Sequence, residues 1–145
     1  MGYLVKPTTN NFPVLSTSIT IPEADVLTLG SIPYTLLAAN VGINYILISA
    51  FLQISRNTIP YSGFTHTYLT DNSSLKYALI EMNSVGNQFG ASNPYVFALN
   101  MTNPPNRFGI RVSSNKPINI SLQSDPTAGN GDMTVTLYYI EVLDI

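Results

Sequence analysis

The sequence contains no cysteine and no tryptophan, and charged residues make up only 10% of its 145 residues. The absence of cysteine excludes disulfides, thiolate metal ligands and cysteine nucleophiles. Average soluble domains carry roughly 25% charged residues, so other side chains must supply the polar surface. The formal net charge is −2, and no three basic residues follow one another. Because nucleic acids and anionic lipids are recognised through clustered basic residues, we expect neither a nucleic acid nor a membrane as a partner.

Long apolar segments are also lacking. The longest strongly apolar stretch, residues 45–52, is far shorter than the roughly 20 residues that span a bilayer as a helix. The first residues lack the charged-then-apolar order of a signal peptide. Lys6 occupies the position at which a myristoylation motif requires serine or threonine. These features predict a soluble globular protein.

Uncharged polar residues take the place of the missing charges. The chain has 15 asparagines, 14 serines and 14 threonines, together with nine tyrosines and six phenylalanines. Disordered chains combine high charge with few aromatic residues, so this composition is that of a folded protein. The length suits one domain. A surface with so few charges is typical of a protein that functions inside an assembly.

Apolar and polar residues alternate in several short segments, which is the pattern of half-buried antiparallel strands. Ile118, Ile120 and Leu122 share one parity, while Asn119 and Ser121 take the other. The same alternation occurs in segments 95–101, 108–112 and 133–139, and shorter strand candidates are 18–21, 32–38 and 65–69.

Two further segments are less regular. Segment 45–54 is apolar on both parities, which is typical of a central strand covered on both sides or of a strand at a subunit contact. Segment 75–82 fits a helical stripe through Leu75, Leu79 and Met82, but it also fits an alternating strand. We interpret it as a strand.

Segments rich in glycine, proline, asparagine and aspartate separate these strand candidates. Eight or nine short strands without a long helix predict an all-β, single-domain fold. The expected architecture is an antiparallel two-sheet β-sandwich that resembles a jelly roll. Residues 1–13 are interpreted as an extended N-terminal arm, a candidate for contact with a neighbouring subunit, and residues 14–145 as the β-sandwich domain.

Candidate catalytic groups are few, and no motif fixes their geometry. His66 is the only histidine, and no G-x-S-x-G nucleophile motif accompanies it. Glu23 with Asp25, and Glu141 with Asp144, are acidic pairs, but neither lies in an aromatic-lined stretch typical of a sugar cleft. We therefore predict that the protein is not an enzyme and assign no catalytic residues.

Two further patterns are candidate ligand sites. Arg107 and Arg111 are placed to clamp an anion or to meet acidic groups across a subunit interface, and we favour the interface. Segment 125–132, D-P-T-A-G-N-G-D, offers two carboxylates but lacks the EF-hand spacing and its closing glutamate. A long hairpin turn accounts for the same residues. We expect no metal, no cofactor, and no residues that bind either.

Two stretches near the ends of the sequence share motifs with a known family. The first is I-P-E-A-D-V-L-T-L-G-S-I-P at 21–33, and the second is the segment 125–132 followed by a tyrosine-rich strand. They resemble small tailed-bacteriophage virion proteins that carry I-P-x-A-x-V-L-x-L-x-S-x-P near the start and D-P-T-x-G-x-G-D before the last strand. The motifs are structural rather than catalytic. The resemblance implies a β-sandwich within a virus particle that self-associates and docks on other virion proteins.

The leading hypothesis is a non-enzymatic virion structural protein, an auxiliary or decoration protein on the capsid surface. Its expected partners are itself, as a homo-oligomer for which a trimer is one candidate, and the major capsid protein or other virion proteins. Positions at the head–tail collar or in the tail stay open.

The alternative hypothesis is a receptor- or glycan-binding module of a head fibre or tail. The loops 61–66 and 86–94 would then carry the sugar site, and Tyr61 would contribute to binding. The absence of tryptophan, the strongest stacking ring, argues against this alternative.

Overall fold

A computed structural model describes residues 12–55, 58–59, 61–63, 66–71, 76–81, 96–98, 110–112 and 115–143. Over these ranges the protein is almost entirely β-structure, as the sequence predicts. The elements are nine strands and one short helix: β1 (Leu15–Ile21), α1 (Glu23–Val26), β2 (Tyr34–Leu37), β3 (Ile43–Ile54), β4 (His66–Thr70), β5 (Lys76–Glu81), β6 (Val96–Ala98), β7 (Ile110–Val112), β8 (Ile118–Leu122) and β9 (Met133–Leu143).

The strands form two antiparallel sheets. Sheet A has the order β1-β9-β3-β6, with β7 also paired to β3, and sheet B has the order β2-β8-β4-β5. β6 and β7 pair with different parts of β3, around Leu52 and Ile46 respectively, so together they fill one strand position. The described strands thus fill four positions in each sheet, and most connections cross from one sheet to the other, as in an eight-stranded jelly roll. The predicted all-β sandwich is confirmed.

The core lies between the two sheets and is built from alternate residues of the facing strands. Ile118, Ile120 and Leu122 of β8 point inward and are buried, as their shared parity predicts. Met133 and Leu137 do the same in β9. These side chains have no access to water, and at about 25 cal/mol per Å² of apolar surface their burial is the main contribution to stability.

Segment 75–82 is the ambiguous case, and its strand interpretation is confirmed. β5 occupies Lys76–Glu81 and pairs antiparallel with β4, with Tyr68 opposite Leu79. The sequence pattern fits both a helix and a strand, and pairing with β4 therefore determines that this segment is a strand.

The helix α1 is the one regular element in the described ranges that the sequence does not predict. Pro22 precedes it in an extended conformation, and only Val26 of its four residues is buried. A single turn presents one inward residue, so it leaves no helical periodicity in the sequence.

The predicted domain division is described only in part. Residues 1–11 of the predicted arm lie outside the described residues. Phe12 and Pro13 have no regular structure, and β1 begins at Leu15. The assignment of 14–145 to one β-sandwich domain stays a prediction.

Candidate interaction surface

The strands β1, β9 and β3 lie side by side in sheet A, and their side chains that point away from the core form the surface called here the outer face. β6 and β7 continue the sheet beyond β3, where the register places Arg111 opposite Ile46. Tyr138 in β9 lies opposite Ser16 on one side and Ser49 on the other. The register gives β1, β9 and β3 uncharged outward residues along most of their length. They are Ser16, Ser18, Thr20, Ile46, Ile48, Ser49, Phe51, Gln53, Thr134, Thr136, Tyr138 and Ile140.

A bulge in β3 brings additional apolar surface to this face. The pairing of β3 with β9 shifts between Leu47 and Ser49, so Ile48 has no partner of its own. Ile48 is 40% exposed and Phe51 is 36% exposed, while Leu47 and Leu52 are fully buried. In segment 45–54, the apolar residues thus fall into two groups, of which one faces the core and the other is partly exposed on the outer face. β3 is a central strand, but in the chain alone its outer side is not fully covered.

Two aromatic side chains form the centre of the outer face. The rings of Phe51 and Tyr138 pack edge to face, with their centroids 5.9 Å apart and their planes at 88°. Tyr138 is also 36% exposed. Such pairs stabilise each other by about 0.5–1.5 kcal/mol beyond the area they bury, so the pair presents a fixed apolar surface to solvent.

A row of hydroxyl groups runs beside the aromatic pair. The Ser18 and Thr136 hydroxyls lie 2.7 Å apart, and those of Thr20 and Thr134 lie 3.0 Å apart. Each pair joins β1 to β9 across the sheet, and such hydrogen-bonded pairs contribute to sheet stability. The three strands therefore combine an apolar centre with a neutral polar margin, and none of the outward residues named for β1, β3 and β9 is charged.

Sequence reasoning did not single out Tyr138 or the hydroxyl pairs. The inward parity of Leu137 and Tyr139 already implies that Tyr138 points outward. The partners of Ser18 and Thr20 lie more than 110 residues away in the chain, so no local pattern identifies them.

A second aromatic pair, with a structural role, lies on the core side of sheet A near the start of β3. The rings of Tyr45 and Tyr139 meet edge to face at 5.7 Å, and the Tyr45 hydroxyl donates to the carbonyl of Ala38 at 2.9 Å. Burial raises the pKa of both hydroxyls, and the nearby Glu141 carboxylate raises it further. The pair closes this end of the core.

The loop 125–132, which the sequence marks as a metal-site candidate, is held by contacts within the chain. The Asp125 carboxylate accepts hydrogen bonds from both the backbone N–H and the hydroxyl of Ser31, each at 2.8 Å. These bonds lower the pKa of Asp125 below its usual value. The Asp132 carboxylate accepts a bond from the N–H of Glu23 at 3.1 Å.

Both loop carboxylates therefore bind donors of the 21–33 segment. In the described part of the chain, no group of three or more histidine or acidic residues is placed to hold a metal ion. The 21–33 segment and the 125–132 loop are thus joined to each other in space.

Tyr61 was expected to contribute to a surface sugar site in the alternative hypothesis, and this expectation is wrong. The side chain is only 4% exposed, and its hydroxyl donates to the carbonyl of Gly131. Burial raises its pKa, and the Glu23 and Asp132 carboxylates raise it further. The ring packs under the 125–132 loop because Gly129 has no Cβ to occupy that space. The other proposed sugar loop, 86–94, lies outside the described residues.

The remaining sequence candidates that the structure describes lie on several different elements. His66 stacks on Tyr68 with ring centroids 5.9 Å apart, and its Nδ1 lies 3.3 Å from the Gln123 side-chain oxygen. The Glu23 carboxylate accepts a bond from the N–H of Gly131 at 3.4 Å. The other candidates are Asp25 in α1, Glu141 in β9, Arg111 in β7, and Arg107 and Asp144, which lie outside the described residues.

Within the described ranges, no helix is long and apolar enough to cross a membrane. No protein-family model matches the chain, and no curated protein matches it. The chain is similar to a solved structure described as "Cyanophage Pam1 capsid asymmetric unit", with 17% sequence identity and a TM-score of 0.46. The alignment covers 90% of this chain and 84% of that chain.

Proposed function

We propose that the protein is a non-enzymatic structural component of a bacteriophage virion, an auxiliary or decoration protein that binds the capsid surface and assembles as a homo-oligomer. The observation that carries the proposal is the set of uncharged outward residues of β1, β3 and β9, with the exposed Phe51–Tyr138 pair at its centre. The cores of protein interfaces are depleted in charge and enriched in aromatic residues. The virion setting comes from the two sequence motifs, which join in the fold as structural elements.

The size of the outer face indicates how such a protein would attach. The 11 residues of β9 extend about 36 Å, and three neighbouring strands are about 14 Å wide. The face therefore covers on the order of 500 Å², compared with about 800 Å² per partner in a standard stable interface. One such contact is modest. A homo-oligomer that engages several sites at once gains its lasting attachment from avidity.

The decisive experiment is quantitative mass spectrometry on purified particles of the phage that encodes the chain. A copy number comparable to that of the major capsid protein is the expected result for a protein that covers the head surface. A few copies to a few dozen would contradict the decoration role and favour the collar, fibre or tail position, where receptor binding becomes the leading function. Absence from the particle would overturn the virion proposal altogether.

A matched pair of variants tests the role of the outer face itself. Phe51→Lys places a charge at the centre of the face, and we expect it to reduce occupancy on particles by about tenfold or more, because many attachment contacts change together. Val41→Lys is the control, since Val41 is 82% exposed in the turn before β3 and lies off the outer face. Equal occupancy of the two variants, with unchanged thermal stability, would contradict the assignment.

A further inference from the structure

Among the described residues, sheet A ends at β1 and at β6 and β7, and sheet B ends at β2 and β5. These edge strands differ in how they are protected from pairing with another chain. β2 is only four residues long, and its pairing is irregular between Thr35 and Leu37. β5 carries Lys76 and Glu81 at its ends. β6 and β7 have three residues each. Short strands, bulges and charges are the usual ways in which proteins prevent an edge from pairing with another chain.

β1 is the edge of sheet A that has none of these protections. It runs for seven residues as L-S-T-S-I-T-I, without charge, proline or glycine. Its pairing with β9 is regular from Leu15 to Ile21. Since backbone groups of a strand alternate between its two sides, half of those in β1 point toward the free edge of the described sheet.

The core-facing side of β1 is also only partly buried. Ile21 at its end is fully buried, but the other inward residues, Leu15, Thr17 and Ile19, are only half-buried. The outward residues Ser16, Ser18 and Thr20 are exposed. One further strand beside β1 would cover the half-buried side chains and pair the free backbone groups.

We propose that this strand is β1 of a second copy, paired antiparallel about a two-fold axis at Ser18. The inference rests on the homo-oligomer of the proposed function and names its contact. With Ser18 opposite its own counterpart, Ser16 lies opposite Thr20, and Thr17 lies opposite Ile19. This register keeps outward residues beside outward residues, so the hydroxyl pairs already formed between β1 and β9 continue across the axis.

The composition of β1 favours a copy of itself over a different partner. In a two-fold interface the same surface meets itself, so any net charge on it would be repelled. β1 has no charge, and each hydroxyl both donates and accepts hydrogen bonds, so it pairs with its own kind. The joined sheets would also form one continuous outer face of twice the area, which brings the surface available for attachment to the size of a standard interface.

The test uses the purified full-length chain and two opposite charges at one position. We expect the wild type to be dimeric in light scattering coupled to gel filtration. Ser18→Lys and Ser18→Glu each place like charges opposite one another at the axis, and each should weaken dimerisation by about tenfold or more. An equimolar mixture of the two variants should restore the dimer, because Lys then faces Glu. Thr35→Lys, an exposed position on the edge strand β2, is the matched control and should dimerise as the wild type does.

Three outcomes would contradict the β1 contact, and none of them by itself decides whether the protein binds the particle. A wild type that is monomeric at all accessible concentrations removes the contact, while particle binding can still be measured by mass spectrometry. If Ser18→Lys and Ser18→Glu each assemble as well as the wild type does, the oligomer is retained but its contact lies elsewhere. Failure of the mixture to recover dimers, when both variants are folded and monomeric, excludes Ser18 as the point where the two copies meet.

Discussion

The two oxygens of the Asp125 carboxylate each accept a hydrogen bond from Ser31, one from its backbone N–H and one from its hydroxyl. The two residues are separated by 94 positions in the chain, and the bonds fasten the loop before β9 to the loop before β2. Bonds to a charged acceptor are roughly twice as strong as neutral ones. The contact therefore links the loop between β8 and β9 to the first crossover between the sheets.

Asp125→Asn should make the protein less stable and less sensitive to acid. The folded-state pKa of Asp125 lies below its usual value, so the carboxylate contributes stability above the unfolded pKa of about 3.9. That contribution is lost as the pH falls through the lower folded pKa. Urea unfolding between neutral pH and the acid limit should show a smaller acid loss in the variant than in the wild type.

Asp25→Asn is the control for this comparison. Asp25 is exposed in α1, and the substitution removes the same charge without touching Ser31. If both variants lose equally less stability in acid than the wild type does, net charge and not the Asp125–Ser31 contact sets the pH dependence.

Two glycine substitutions should separate steric conflict from backbone strain. At Gly30 a Cβ would lie 2.1 Å from the backbone carbon of Ser124, whereas at Gly42, with φ of +77°, it would meet nothing within 4 Å. We expect Gly42→Ala to cost about 1 kcal/mol through its left-handed conformation. Gly30→Ala should cost roughly 3 kcal/mol or more, because the backbone it meets cannot move aside easily. Chemical denaturation measures both, and a larger loss at Gly42 would contradict the packing described around Gly30.

Most strands could be predicted because successive residues of a strand face the core and the solvent in turn, so apolar and polar residues alternate in the sequence. Ile118 and Ile120 alternate with polar residues, and each faces the core as that alternation requires. The β3 segment is different, since both of its parities are apolar. The bulge at Ile48, which brings extra apolar surface to the outer face, depends on the register with β9, and no pattern within ten residues reveals it.

Tyr61 shows why the candidate sites were harder to predict than the fold. Its neighbours Ser62 and Gly63 are typical of a surface loop, so an exposed aromatic ring was the natural expectation. The ring is buried because the loop about 70 residues later in the chain covers it: a Cβ at Gly129 would lie 2.2 Å from the ring, and the Gly131 carbonyl accepts the hydroxyl. The glycine at position 129 leaves this space open, but only the tertiary structure identifies Tyr61 as the residue that fills it.

Thr67→Val should stabilise the protein. Thr67 is fully buried in β4 on the core side, and within the described structure its hydroxyl oxygen has no hydrogen-bond partner. A buried unpaired polar group costs about 1–3 kcal/mol, and valine replaces the hydroxyl with a methyl group of similar size. We expect a gain of about 1 kcal/mol in the free energy of unfolding. Thr20→Val, at an exposed position with a paired hydroxyl, should show no such gain, and a loss on Thr67→Val would indicate a partner for the hydroxyl.

Tyr61→Phe should lower stability at neutral pH and make it less dependent on alkaline pH. The hydroxyl bond to Gly131 is lost, which should cost about 1 kcal/mol. Because the folded-state pKa is raised, the wild type keeps this contribution below the unfolded pKa of about 10 and loses it as the pH rises toward the folded value. Phenylalanine does not titrate, so the alkaline limb of the stability curve should be shallower. Tyr138→Phe, on the outer face, is the matched control, and an equal flattening in both variants would show that the buried hydroxyl of Tyr61 is not the group responsible.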